Sequence, residues 1–160
     1  MSTVISDTTA ITYLYQVSHL SLLEEMYGQV IIPEAVAREL SAAHPELLVQ
    51  SMAGFIDVRF VDTSAVQRLT TSFPTLDRGE LEALTLAAGE DSALLIVDEV
   101  AARGVADQLR IRKIGVLGIL RTAKARGLIG PIAPVAKAMM GAGFRIDAGL
   151  LARVLRSVGE

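Results

Sequence analysis

Short apolar runs alternate with helix-length stretches along this chain, and that alternation limits its possible folds more than any other feature. Val4-Ile5-Ser6, Val30-Ile31-Ile32 and Ala93-Leu94-Leu95-Ile96-Val97 are each of strand length, and a helical pattern follows each one. Residues 56–61 alternate apolar with polar, as a strand at a sheet edge does. Arg112-Lys113-Ile114 completes the strands. Strands interleaved with helices predict an α/β class, a three-layer α/β/α sandwich around a mainly parallel sheet. At 160 residues the chain fits a single domain, 1–160, with the C-terminal helices at about 131–157 as a candidate appendage. No internal repeat or linker interrupts it.

Local chemistry marks most helix ends. Thr8 or Thr9 is placed to cap a first helix with Ile11, Leu14 and Tyr15 on its apolar face. Ser18 is placed to cap a second, which Gly28 ends. Pro33 opens a helix over about 33–42, where its missing N–H costs nothing. Pro45 opens another through Met52. Residues 64–72 form a weak helix that Pro74 ends. Asp77-Arg78-Gly79-Glu80 has capping-box spacing and starts a helix that Gly89 closes. Helices are further expected over 99–109, 115–126, 131–141 and 147–157.

Composition removes several kinds of chemistry. The chain has no cysteine, so disulfides, zinc–thiolate sites and thiol catalysis are excluded. No apolar run approaches the roughly 18 residues of a membrane span. No basic region followed by an apolar stretch opens the chain, so no signal peptide is expected and a cytoplasmic location fits. No G-x-x-x-x-G-K-[ST], G-x-G-x-x-G or G-x-S-x-G motif occurs, and His19 and His44 stand alone. Gly115-Val116-Leu117-Gly118 is instead read as tight packing at a helix start. Charge is uneven: residues 1–102 carry 4 Lys/Arg against 15 Asp/Glu, residues 103–160 carry 11 against 3. Such a division suits a basic face for phosphates beside an acidic, metal-binding half, or an ordinary solvated surface.

The acids carry the chemical signal. Asp7 and Asp98 each stand where an apolar strand runs out, and in α/β folds ligands bind at that edge. Glu39 and Glu80 fall on helices between them. Hard carboxylate oxygens in this number suit Mg²⁺ or Mn²⁺. Each acid also has a plain structural reading. Asp7 and Asp98 are placed to cap helices, Glu39 to be a solvated helix acid, and Glu80 to complete the Asp77 capping box. Glu82 and Glu99 are neighbours of the candidates. Arg103, Arg110, Arg112 and Lys113 are candidate members of the basic face for phosphates.

With these residues assembled, the chain resembles the PIN-domain nucleases, closest to a little-characterised branch related to VapC-type toxins. Val4-Ile5-Ser6-Asp7-Thr8-Thr9, Ile31-Ile32-Pro33-Glu34-Ala35-Val36-Ala37-Arg38-Glu39-Leu40 and Leu76-Asp77-Arg78-Gly79-Glu80-Leu81-Glu82-Ala83 carry the resemblance. So do Leu95-Ile96-Val97-Asp98-Glu99-Val100-Ala101-Ala102-Arg103, Gly115-Val116-Leu117-Gly118-Ile119-Leu120 and Gly143-Phe144-Arg145-Ile146. It implies a Mg²⁺- or Mn²⁺-dependent endoribonuclease whose acidic quartet falls on Asp7, Glu39, Glu80 and Asp98. Thr9 would support the first acid, and Asp7, Glu80 and Asp98 would be the metal ligands. Glu80 stands where many relatives have Asp. The resemblance further implies the toxin of a toxin–antitoxin pair, with an RNA substrate, a small antitoxin protein as partner and a homodimeric state. The competing expectation keeps the fold without catalysis, as a module binding RNA or protein. A haloacid-dehalogenase phosphatase is disfavoured because Thr9 stands where that chemistry wants a second Asp. A receiver domain is disfavoured because the adjacent acid pair is missing.

Overall fold

The computed structural model of the chain describes residues 2–47 and 54–160. Five strands form one sheet: β1 (Thr3–Ser6), β2 (Val30–Pro33), β3 (Ile56–Arg59), β4 (Ala93–Ile96) and β5 (Arg112–Ile114). Their order is β3-β2-β1-β4-β5, and every pairing is parallel. The expected α/β/α sandwich is therefore the observed one. Between the strands run α1 (Thr8–Gln16), α2 (Ser21–Tyr27), α3 (Glu34–Ala43), α4 (Thr63–Ser72), α5 (Arg78–Ala88) and α6 (Val100–Gln108). After β5 come α7 (Val116–Ala125), α8 (Ile132–Gly141) and α9 (Ala148–Ser157).

The two-residue period of the strands sorts the core. Val4, Ile32 and Ile96 enter one apolar cluster, with Ile11 and Leu14 of α1, Val36 and Leu40 of α3, and Ile119 and Leu120 of α7. Their neighbours Ile5, Ile31 and Leu95 enter the other, with Leu81 and Leu84 of α5 and Val105 of α6. A sheet covered on both faces needs apolar residues at successive positions, which is why these strands are continuous apolar runs. Ile132, Ala136 and Met139 of α8 and Val154 of α9 lie in the first cluster with the sheet residues.

Several helix ends differ from expectation. At α1 the capping reading of Asp7 holds and that of the threonines does not: the Asp7 carboxylate accepts from the Thr9 N–H at 3.2 Å. Ser18 does not cap α2, which begins at Ser21 with no side-chain cap. It adopts φ 59° and terminates α1 instead. Its N–H donates to Tyr15 O and that of His19 to Leu14 O, the paired bonds of a Schellman motif. Arg110, at φ 57°, ends α6 in the same way. Pro33 ends β2 and caps α3 in extended backbone rather than opening the helix. Glu99, not Asp98, caps α6 by accepting from the Ala102 N–H at 2.9 Å. Residues 45–47 are helical, and the rest of the helix expected through Met52 lies outside the described residues. Among the described residues no helix is long and apolar enough to cross a membrane.

Glu160 ties α7, α8 and the end of α9 together. Its carboxylate accepts from the N–H groups of Ile132 (2.7 Å) and Ala133 (3.0 Å) at the start of α8, and pairs with Lys124 of α7 at 2.7 Å. These bonds, the Lys124 one first, hold its pKa down at about 2. A depressed acid stabilises the fold above its ordinary value and loses that contribution as pH falls through the folded value. Glu160→Gln should therefore lower Tm at neutral pH, and the gap to wild type should close as pH falls from about 4.5 towards 2. Thermal melts across that range check it; a gap independent of pH would rule out the charged latch.

Candidate active site

The sheet order reverses at β1, since β2 lies on one side of it and β4 on the other. Crevices at such switch points are where open α/β sheets bind ligands. Ser6 pairs with Ile96 in register, and the Asp7 N–H extends the ladder to Ile96 O at 3.2 Å. Asp7 and Asp98 therefore leave neighbouring strands at the same carboxyl edge, on the two sides of the crevice.

Asp7 is 5 % exposed. Its carboxyl is pushed well above the usual carboxylate range, first by burial, then by the negative charges of Asp98 and Glu80. The Thr9 N–H bond opposes this and does not offset it. Asp98 is also raised, by burial, against the opposing Val116 N–H and the Arg103 charge. Its two carboxylate oxygens lie 3.1 and 3.2 Å from the Val116 nitrogen, so it caps α7 across the edge of the sheet. Glu80 is raised chiefly by burial, with Asp77, Glu99 and Glu39 as further negative neighbours. Its side chain accepts from the Asp77 N–H at 3.0 Å, completing the capping box. Glu39, on α3, is exposed and accepts the Thr8 hydroxyl.

Two glycines make room for these acids. A Cβ on Gly79 would lie 2.8 Å from Glu39 Oε1, and one on Gly115 would lie 2.7 Å from Asp98 Oδ1. Such separations are well inside van der Waals contact. Gly115→Ala should leave the fold intact, because its backbone is extended at φ −102°, but should displace the Asp98 carboxylate. We expect Mn²⁺ affinity to fall by about 10–100-fold, the scale on which disturbing a ligand's supports acts. Calorimetry beside a thermal melt checks it; unchanged affinity would show that Asp98 has space to shift.

The four acids thus meet at one edge. Among the described residues, however, no three acids or histidines stand in ligating geometry about one point. Each is engaged in a hydrogen bond of its own: Asp7 with the Thr9 N–H, Asp98 with the Val116 N–H, Glu80 with the Asp77 N–H and Glu39 with the Thr8 hydroxyl. The donor set still fits a hard divalent cation. It is all oxygen, it concentrates charge on a buried carboxylate, and it sits where two missing Cβ atoms leave space.

A family model described as a PIN domain, DUF3368, matches residues 3–160. The chain belongs to the PIN-domain family. Members of this family are generally nucleases, which supports hydrolysis of nucleic acid as the activity class. No curated protein matches the chain.

The basic residues of this PIN domain divide between the two ends of the sheet. Arg103 is beside Asp98: its Nη1 donates to Val97 O at 2.7 Å and lies 3.4 Å from where a Gly115 Cβ would be. Lys113 pairs with Asp107 near the same edge of the molecule. Arg110 and Arg112 lie at the amino end of the strands, in a shallow cleft with Glu90, Asp91 and Ser92, and Arg112 bonds to Ser2. Strand direction separates them from the acids, a distinction that spacing along the chain does not express.

Sequence reasoning gave Glu82 no definite part, yet its carboxylate has a fixed place. It is 3 % exposed, and it accepts from the Ala35 N–H at 3.0 Å. Pro33 provides no side-chain cap for α3, so an acid from α5 does so instead. Ala35 and Glu39 are four residues apart on one face of α3, as Gly79 and Glu82 are three apart on α5. The same face-to-face contact therefore sets Glu39 beside Gly79. Glu82 is the fifth residue of α5, between Leu81 and Ala83, and nothing local to it in the sequence points to Ala35.

Proposed function

We propose that this PIN domain is a divalent-metal-dependent endoribonuclease, using Mg²⁺ or Mn²⁺. The observation that carries the reading is a buried Asp7 at the switch point with Asp98 and Glu80 near enough to raise its pKa, and Glu39 near Glu80. A carboxylate raised by burial and then by two neighbouring acids is costly to the fold, and functional sites are where such arrangements concentrate. Asp7, Asp98 and Glu80 would hold the cation, and Glu39 would orient the attacking water. Thr9, through its N–H, fixes the Asp7 carboxylate. Arg103 tethers Val97 O and steadies Asp98 as an anion. The chemistry such a cation supplies when bound is activation of a water and neutralisation of charge on the scissile phosphate during in-line displacement.

We further propose that the protein acts as the toxin of a toxin–antitoxin pair, with a small antitoxin protein as its partner, working as a homodimer in the cytoplasm. That reading rests on the resemblance of this sequence to the PIN branch related to VapC-type toxins. The alternative, a catalytically degenerate module that binds RNA or protein, is favoured by the hydrogen bonds that occupy Asp98 and Glu80. Cleavage of a mixed RNA pool with and without Mn²⁺, beside Asp7→Asn and Asp98→Asn variants, separates the two. Metal-dependent cleavage lost in both variants supports the nuclease. Equal cleavage by all three proteins defeats it. No cleavage and no Mn²⁺ heat from wild type leaves the binding module.

A further inference from the structure

A cleft of about 470 Å³ opens directly beside Asp98, between the β5 edge, α7 and the segment leading into α9. Four cations line it: Arg103, Lys113, Arg121 and Arg145. Its acids are Asp98 itself and Asp147, and Asp147 is already engaged as the α9 cap, accepting from the Leu150 N–H at 2.7 Å. Lys113 is paired with Asp107. Arg121 and Arg145 are exposed and have no ion-pair partner among the described residues. The remaining lining is apolar, with Leu117, Ile146 and Leu150 prominent, and Val100 at its rim is 82 % exposed.

Unpaired guanidiniums over apolar side chains match one kind of occupant. The cations suit phosphodiester oxygens, which Arg binds in a fork. The apolar wall suits the faces of unstacked bases. A concave cleft of this volume accepts a strand and not the broad surface of a duplex, whose bases are turned inward. The cleft also continues into the acidic edge without a break, since Asp98 belongs to both.

We propose that this cleft holds the single-stranded RNA flanking the scissile phosphate, with Arg121 and Arg145 as its phosphate contacts. The assignment rests on the nuclease reading of the Asp7–Asp98 edge. It places the strand along β5 and α9, away from Arg110 and Arg112.

Fluorescence anisotropy with a labelled oligouridine and with a matched RNA duplex tests it, metal-free and across a salt series. The full chain is compared with an Arg121→Glu/Arg145→Glu double variant and with Arg110→Glu/Arg112→Glu, which carries the same charge change at the far end of the sheet. The first variant should lose single-strand affinity by about tenfold or more and flatten the log–log salt slope by about 1.4, since each phosphate contact contributes about 0.7 on a single strand. The second should bind as wild type does. Equal losses in both variants would overturn the cleft, since net charge alone would then explain binding. So would a preference for duplex, or tight binding of an acidic protein partner at the cleft in place of RNA. Mn²⁺ calorimetry on the same proteins keeps the two readings apart. Cleft variants that bind Mn²⁺ and cleave normally would sink the cleft and spare the nuclease. A wild type that binds strands through Arg121 and Arg145 but takes no Mn²⁺ would do the reverse.

Discussion

Asp7→Asn should abolish RNA cleavage while raising the melting temperature of the metal-free protein. Both effects come from one carboxylate, 5 % exposed and facing Asp98 and Glu80. Asn caps a helix about as well as Asp, so the Thr9 N–H keeps its acceptor. What is removed is a buried negative charge held against two others. In a chain of this size each kcal/mol relieved should appear as about 2–4 °C in Tm. Activity should fall roughly 10²–10³-fold or more, the scale of losing one preorganised electrostatic group. Added Mn²⁺ should raise the Tm of wild type, because a ligand that binds only the folded state stabilises it, and should do so much less for the variant. Differential scanning fluorimetry with and without Mn²⁺, beside the cleavage assay, measures all of this. A variant less stable than wild type without metal would show that the acids do not repel as their placement requires.

Glu82→Ala should be the most damaging single change to the protein outside its apolar core. It leaves the Ala35 N–H at the start of α3 buried and unpaired, a loss of about 1–3 kcal/mol. It also removes the carboxylate end of the Arg78 pair, 3.7 Å away and half-exposed, which adds little. The local consequence matters more. With the α3–α5 contact loosened, Glu39 loses its fixed place over Gly79. Glu82→Gln keeps an acceptor oxygen and should recover most of the stability. Mn²⁺ affinity should follow the same order, wild type then Gln then Ala, when measured well below each variant's Tm. If Ala destabilises the fold but leaves Mn²⁺ affinity untouched, Glu82 is a structural cap alone.

The sheet was legible because its strands declare themselves twice, as apolar runs and as runs bounded by helix starts. The acids at strand ends were legible for the same reason: once β1 and β4 are neighbours, Asp7 and Asp98 must share an edge. Glu80 was visible through its capping box, and that box is present. Other features depended on facts that are not local. Which residue caps a helix depends on a backbone bend of one residue, so of the candidates Asp7, Thr8 and Thr9 it is Asp7 that caps α1, and Glu99 takes the place expected of Asp98. Arg110 and Arg112 looked close to the site along the chain, but strand direction carries them to the opposite end of the sheet. Glu82 reaches its partner 47 residues away, and nothing in its own neighbourhood announces that. The cleft is of this kind too, since Arg121 and Arg145 meet only after α7, α8 and α9 have packed.

The central strand pairs on one side with a segment some ninety positions further along, Thr3 opposite Ala93 and Ser6 opposite Ile96. Closing so long a loop is slow compared with forming the helices within it. On the ribosome, Asp7 emerges early and waits for Asp98, whose strand must leave the exit tunnel before the two can meet. The acidic edge therefore cannot form in a growing chain until synthesis is well past its midpoint.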